Sequence, residues 1–107
     1  MGFIYQTTFD LRSEDASQVR IGKSIGESLA YLKAFLPGES GFIDARAMMS
    51  MVQNDRVHIV FESNWNDWES LETHLKKSLF AEQKILPQFE LDVKPMDLTT
   101  AIYEEVG

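Results

Sequence analysis

Residues 3–11, FIYQTTFDL, put Phe3, Tyr5, Thr7, Phe9 and Leu11 on one side of an extended chain and Ile4, Gln6, Thr8 and Asp10 on the other. A period of two with one mostly apolar side marks a half-buried strand. The rhythm returns in GFIDARAMMSMV, in RVHIVFES and in LTTAIYEEV. Between these runs lie two segments of helical spacing. The order in which the two periods alternate constrains the fold more than any other feature.

The first helical segment, SIGESLAYLKAFLPGESG, follows a polar stretch, RSEDASQVR, that reads as a loop. Ser24 with Glu27 three residues on forms a capping-box pattern, Ile25, Leu29, Leu32 and Leu36 recur at helical spacing, and Pro37-Gly38 ends the run. In the second strand Ile43, Ala45, Ala47 and Met49 share one parity, and Phe42, Asp44, Arg46 and Met48 the other. Gln53–Asp55 is a tight-turn signal, so strands two and three form a hairpin. Asn66 with Glu69 starts a second helix whose inward stripe is Trp68, Leu71 and Leu75. A segment broken by Pro87 and Pro95 then leads to the last strand.

The resulting order, βαββαβ, is the split-βαβ, ferredoxin-like plan. It predicts an α+β fold: one domain over residues 1–107, with an antiparallel four-stranded sheet and both helices on one face. The other face carries Ile4, Phe42, Met48 and Val60. A face that apolar does not stay wet, so a homodimer paired sheet to sheet is expected.

Composition removes several classes of function. The net charge is −7 and the pI is near 4.7. Phosphate backbones and anionic membrane surfaces repel such a chain, so nucleic acid and membrane are not expected partners. No run approaches ~20 apolar residues, and no basic stretch precedes an apolar core as in a signal peptide. With no cysteine in the chain, disulfides, thiolate metal sites and a cysteine nucleophile are excluded, which fits a cytoplasmic location. No HxH or HExxH pattern, glycine-rich phosphate loop or Ser-His-Asp arrangement is present, so neither a metal nor a cofactor is expected.

Four features together carry a family resemblance. They are the strand RVHIVFESNW, the helix NDWESLETHLKKS, an aromatic-containing LF just after it, and the short last strand TAIYEEV. With the overall plan they resemble the dimeric α+β barrel superfamily, and within it the antibiotic-biosynthesis-monooxygenase-like families. The resemblance implies a cleft between helices and sheet that binds a small, apolar or amphipathic molecule. Some members of these families oxidise polycyclic aromatics without metal or flavin. Haem-degrading members pair a tryptophan and a histidine near the second helix with an asparagine on the first strand. Here Trp65 or Trp68 and His74 match the first two, but the strand carries Gln6, Thr7 and Thr8 where the asparagine would stand.

The candidate catalytic residue is His74, beside the buried stripe and suited by its near-neutral pKa to proton transfer. The bland alternative is a half-buried helix histidine making one hydrogen bond. Trp65 and Trp68 are candidate ligand walls or packing for the helix entry, Trp68 sitting on the packing stripe. Arg46 is a candidate anchor for a ligand carboxylate, or a member of an ion-pair cluster with Asp44, His58 and Glu62. Met49 and Phe61 are candidate sheet residues of the cleft. The reading is a small-molecule-binding domain with an apolar helix–sheet cleft, acting as a cofactor-independent monooxygenase on an aromatic or fatty-acyl-type compound. The alternative is a non-catalytic ligand-binding or stress-associated dimeric module.

Overall fold

The structure is a computed structural model that describes residues 2–17, 19–77 and 95–106. Its elements are β1 (Phe3–Arg12), a single helical turn α1 (Ser13–Ala16), α2 (Val19–Phe35), a 3-10 turn (Leu36–Gly38), β2 (Phe42–Met49), β3 (Arg56–Trp65), α3 (Trp68–Leu75) and β4 (Met96–Glu104). The four antiparallel strands form one sheet in the order β2-β3-β1-β4. This is the expected ferredoxin-like α+β plan. Most of the segment between the second helix and the last strand, including Pro87, lies outside the described residues.

The centre of the sheet follows the period-two pattern. β1 and β3 pair over ten positions, from Phe3↔Trp65 to Arg12↔Arg56. Tyr5, Thr7, Phe9 and Leu11 are buried, as are Val57, Ile59, Phe61, Ser63 and Trp65 opposite them. Ile21, Leu32 and Leu36 close this layer from the α2 side and Leu71 from α3. Burying one such side chain contributes about 1.5–3 kcal/mol, so this single face supplies most of the driving force.

β2 departs from its parity. The register slips between Phe42 and Asp44, a bulge that adds one residue to the strand. Phe42 therefore packs against the core rather than on the open face, Ile43 is exposed, and Ala45 and Ala47 turn inward beyond the bulge. The open face accordingly loses one of its four expected apolar side chains. At its centre Glu62 is buried, with the Arg46 Nε 2.9 Å and the Gln6 Nε2 3.2 Å from its oxygens. Of the cross-strand pairs expected here, Arg46–Glu62 forms, whereas His58 pairs with Asp10 on β1.

The β2–β3 turn is built as its residues dictate. Asn54 and Asp55 both adopt positive φ, 54° and 60°. Gln53 and Arg56 exchange both backbone hydrogen bonds, at 2.9 and 3.0 Å. This is a two-residue loop of the I′ kind, whose twist matches the flanking strands.

Both helix starts differ from the sequence reading. α2 begins at Val19, so Ser24 sits inside the helix and is buried, as is Ser28 one turn on. Small hydroxyl residues are tolerated on a buried helix face because the carbonyl a turn earlier can accept their proton. α3 begins one residue later than expected. Asp67, not Asn66, is its cap, and its carboxylate accepts from the Ser70 N–H at 2.8 Å. The Asn66 N–H instead reaches the Gly41 carbonyl at 2.8 Å.

Gly41 is the tightest point of this junction. Its φ is +82°, and a Cβ there would overlap the Ser70 side chain. Gly41→Ala therefore combines backbone strain with a clash and should lower stability by roughly 2 kcal/mol. Gly22, in α2, has open space around it. Gly22→Ala should raise stability by about 0.5–1 kcal/mol. Urea denaturation of both variants, followed by far-UV circular dichroism, checks the opposite signs.

Candidate functional site

Where β3 ends, its last side chain meets α3. Trp65 is fully buried, and its indole N–H donates to the Ser63 hydroxyl at 2.8 Å. Phe42 packs edge-on to it, with ring centroids 5.6 Å apart. His74 also packs against it, 4.7 Å between centroids with the planes tilted 31°. His74 is only 1% exposed, more deeply buried than its place beside the expected stripe implied.

A buried imidazole needs a partner for its polar edge. The Glu39 carboxylate, in the loop between the 3-10 turn and β2, lies beside that edge. One of its oxygens meets His74 Nδ1, and the other meets Lys77 Nζ, just past the end of α3. Nothing in PGESG signals this role, because the contact spans 35 positions and the stretch reads as a turn.

His74 borders a cavity of about 470 Å³. Glu39 and Ser40 line it from the loop, Asp67, Glu69, Ser70 and Thr73 from α3 and its cap, and Lys77 from just past the helix end. The lining is polar where the sequence suggested an apolar slot. Helical rotation explains the difference. Positions 70, 73, 74 and 77 run down one flank of α3, and Trp68, Glu72 and Leu75 down the opposite one.

The remaining candidates fall in different places. Trp68 is 41% exposed, leans on Phe3 with centroids 5.8 Å apart, and donates its indole N–H to Glu72 at 3.1 Å. Phe61 stacks on Phe9 within the core, at 6.3 Å. Met49 is exposed at the far end of β2, paired with Ile59. That is six positions along β3 from Trp65, or roughly 20 Å. Arg46 points to the open face, on the other side of the sheet from His74, and is paired with Glu62. The structure thus brings His74 and Trp65 together and separates them from Arg46, Met49 and Trp68. Among the described residues no group of three or more His, Cys, Asp or Glu side chains could hold a metal ion. None of the described helices is long and apolar enough to cross a membrane.

A second polar cluster lies at the opposite end of the sheet. His58 Nδ1 is 2.6 Å from Asp10, and Arg56 spans Asp10 at 3.4 Å and Asp97 at 2.6 Å, tying β3 to β1 and β4. The His58 hydrogen bond, aided by Arg56 and opposed by partial burial, holds the Asp10 carboxyl below the usual carboxylate range. Asp97, then Asp10, raises the Arg56 guanidinium, and Lys76 lowers Glu72 on α3. Because Asp10 is more acidic folded than unfolded, its contribution to stability is complete above the unfolded pKa near ~4. It is lost as pH falls through the folded value. The urea midpoints of wild type and Asp10→Asn should therefore differ at pH 7 and converge below about pH 4.

No family model matches the chain, and no curated protein does. Solved structures match over nearly its whole length. An antibiotic biosynthesis monooxygenase-like protein from Deinococcus radiodurans superposes with a TM-score of 0.62 at 18% identity, over 98% of this chain and 93% of its own. A cofactor-independent oxygenase from Streptomyces nogalater gives 0.57 at 10% identity, over 97% and 92%. A dimeric ferredoxin-like protein of unknown function from Jannaschia gives 0.62 at 13% identity, over 96% and 99%. At these identities the likeness establishes the fold, and the fold is the one the sequence resembles.

Proposed function

We propose that the chain is a small-molecule enzyme of the cofactor-independent oxygenase kind, with His74 as its base. The observation that carries this reading is the setting of His74. Its ring is buried against Trp65, has a carboxylate beside it, and borders a cavity of about 470 Å³. A cavity of that size accommodates a compound of two or three rings. The fold likeness to an oxygenase that needs no cofactor supports the reading at the level of the scaffold.

The lining favours one substrate class. Glu39, Asp67 and Glu69 oppose a single Lys77, which disfavours an anionic ligand such as a fatty acid. The hydroxyls of Ser40, Ser70 and Thr73 suit a neutral aromatic compound bearing phenol or carbonyl groups. His74 takes a proton from a phenol or an activated ring CH2 of such a compound. The electron-rich anion then reduces dioxygen. In balance, the CH2 group and O2 give C=O and water, and the substrate supplies every electron. A homodimer paired through the open sheet face, in the cytoplasm, is the working unit we propose. The dimeric fold neighbour supports the pairing.

Oxygen uptake over a panel of anthrones, naphthols and fatty acids tests the proposal. Wild type should consume oxygen with a phenolic member and not with fatty acids. His74→Ala should lose ~10²- to 10⁴-fold in kcat, the usual contribution of a positioned base, with calorimetric binding retained. Equal turnover by wild type and His74→Ala would end it. The Glu39 bridge to both His74 and Lys77 favours a second reading, in which these residues only fasten the loop to α3. In that case ligands bind without turnover, and His74→Ala changes the melting temperature alone.

A further inference from the structure

We infer that Arg46 is the residue that lets the open sheet face pair with a second copy of this chain, because it keeps the charge of Glu62 matched when the face is dried. This rests on the reading of the chain as a homodimer paired sheet to sheet. The strand registers set Arg46 opposite Glu62, Glu62 opposite Gln6 and Gln6 opposite Ala101, one row across all four strands. Apolar side chains flank the row, Met48 and Val60 in the next row on one side and Ile4 and Tyr103 on the other. The Glu62 side chain is 2% exposed, and the Arg46 side chain bonded to it is 62% exposed. Arg46 stands on an edge strand, so the guanidinium N–H groups that Glu62 does not use lie near the rim, within reach of water.

The polar groups of this face are largely bonded to one another. Arg46 and Gln6 both donate to the Glu62 carboxylate, the Thr8 and Thr99 hydroxyls bond at 2.6 Å, and His58 and Arg56 hold Asp10. A surface satisfied within itself offers little to a polar ligand, yet it can be dried without orphaning its hydrogen-bonding groups. What fits it is another flat surface, apolar between its own internal pairs. A second copy meets those terms, although two chains of net charge −7 repel at long range. The face is also small. The β1–β3 ladder is ten residues long, and four strands at ordinary spacing make roughly 600 Å². That is the lower end of what each partner contributes to a stable interface, so one unmatched charge decides between dimer and monomer. In a monomer without Arg46, water replaces it over the Glu62 carboxylate. In the dimer the second sheet excludes that water, and Glu62 becomes a buried charge with no counter-ion.

Sedimentation equilibrium at pH 7, with circular dichroism to follow the fold, tests this. Wild type should form a dimer. Arg46→Met should stay folded with its dissociation constant raised about 100-fold or more. Arg46→Gln, which keeps a donor for Glu62 but removes the charge, should weaken the dimer in the same direction. Arg46→Met combined with Glu62→Gln should return to within about tenfold of wild type, because no charge is then left to dry. Unchanged association in both single variants overturns the inference while the homodimer reading stands. So does a double variant as weak as Arg46→Met, since the arginine stem and not the charge would then be responsible. Loss of the folded monomer in both single variants overturns it as well, because the pair would then be holding the protomer together. A wild type that stays monomeric ends the homodimer reading and this inference with it.

Discussion

The ten-residue ladder between β1 and β3 is what every other element is fastened to. It lies at the middle of the sheet, so both its edges are paired, and the described helices cover one of its faces. A period of two then admits no slack. A slip of one residue would send Phe9, Phe61 and Trp65 to the open face and bring Asp10 and His58 inside. The difference in burial between these two sets is large enough to make the register unique. Because the register is unique, the position of Trp65 at the end of β3 is fixed, and with it the surface that receives α3.

The same logic explains which parts were legible beforehand. The parity of β1 and β3 can be read directly, since a central strand with one wet face must alternate. The Asn54-Asp55 turn was legible because few residues adopt left-handed backbone twice in succession. The bulge at Phe42–Asp44 was not. On an edge strand one extra residue costs little, and Phe42, Ile43 and Ala45 satisfy either parity. The start of α2 was missed because Ser24 and Glu27 have the residue types of a capping box although they lie inside the helix. Trp68 was assigned inward by its helical spacing from Leu71 and Leu75, but the ring rests on Phe3 and its N–H is satisfied at the surface by Glu72.

The candidate site was half visible. His74 and Trp65 stood out by type and by spacing from a predicted helix start. Glu39 did not, because its partner lies on another element and the contact exists only after the sheet has formed. The polar character of the cavity escaped notice for a similar reason. The cavity-facing flank of α3 lies away from the side that carries Trp68 and Leu75, and periodicity identifies only the apolar side. Of the Asp10–His58–Arg56–Asp97 cluster only His58 was singled out, as a member of an ion-pair cluster with Asp44, Arg46 and Glu62. Its wiring to β1 rather than to β2 follows from strand order, which local sequence does not encode.

Burying one tryptophan while leaving the other near the surface has an optical consequence. The chain has two indoles, Trp65 with no exposure and Trp68 with 41%. Only the first lies against an imidazole, with ring centroids 4.7 Å apart, and a protonated imidazole quenches indole emission while a neutral one does so far less. The blue-shifted component of the intrinsic fluorescence thus comes from Trp65. It is a native chromophore whose brightness reports the charge on the neighbouring ring, without any label.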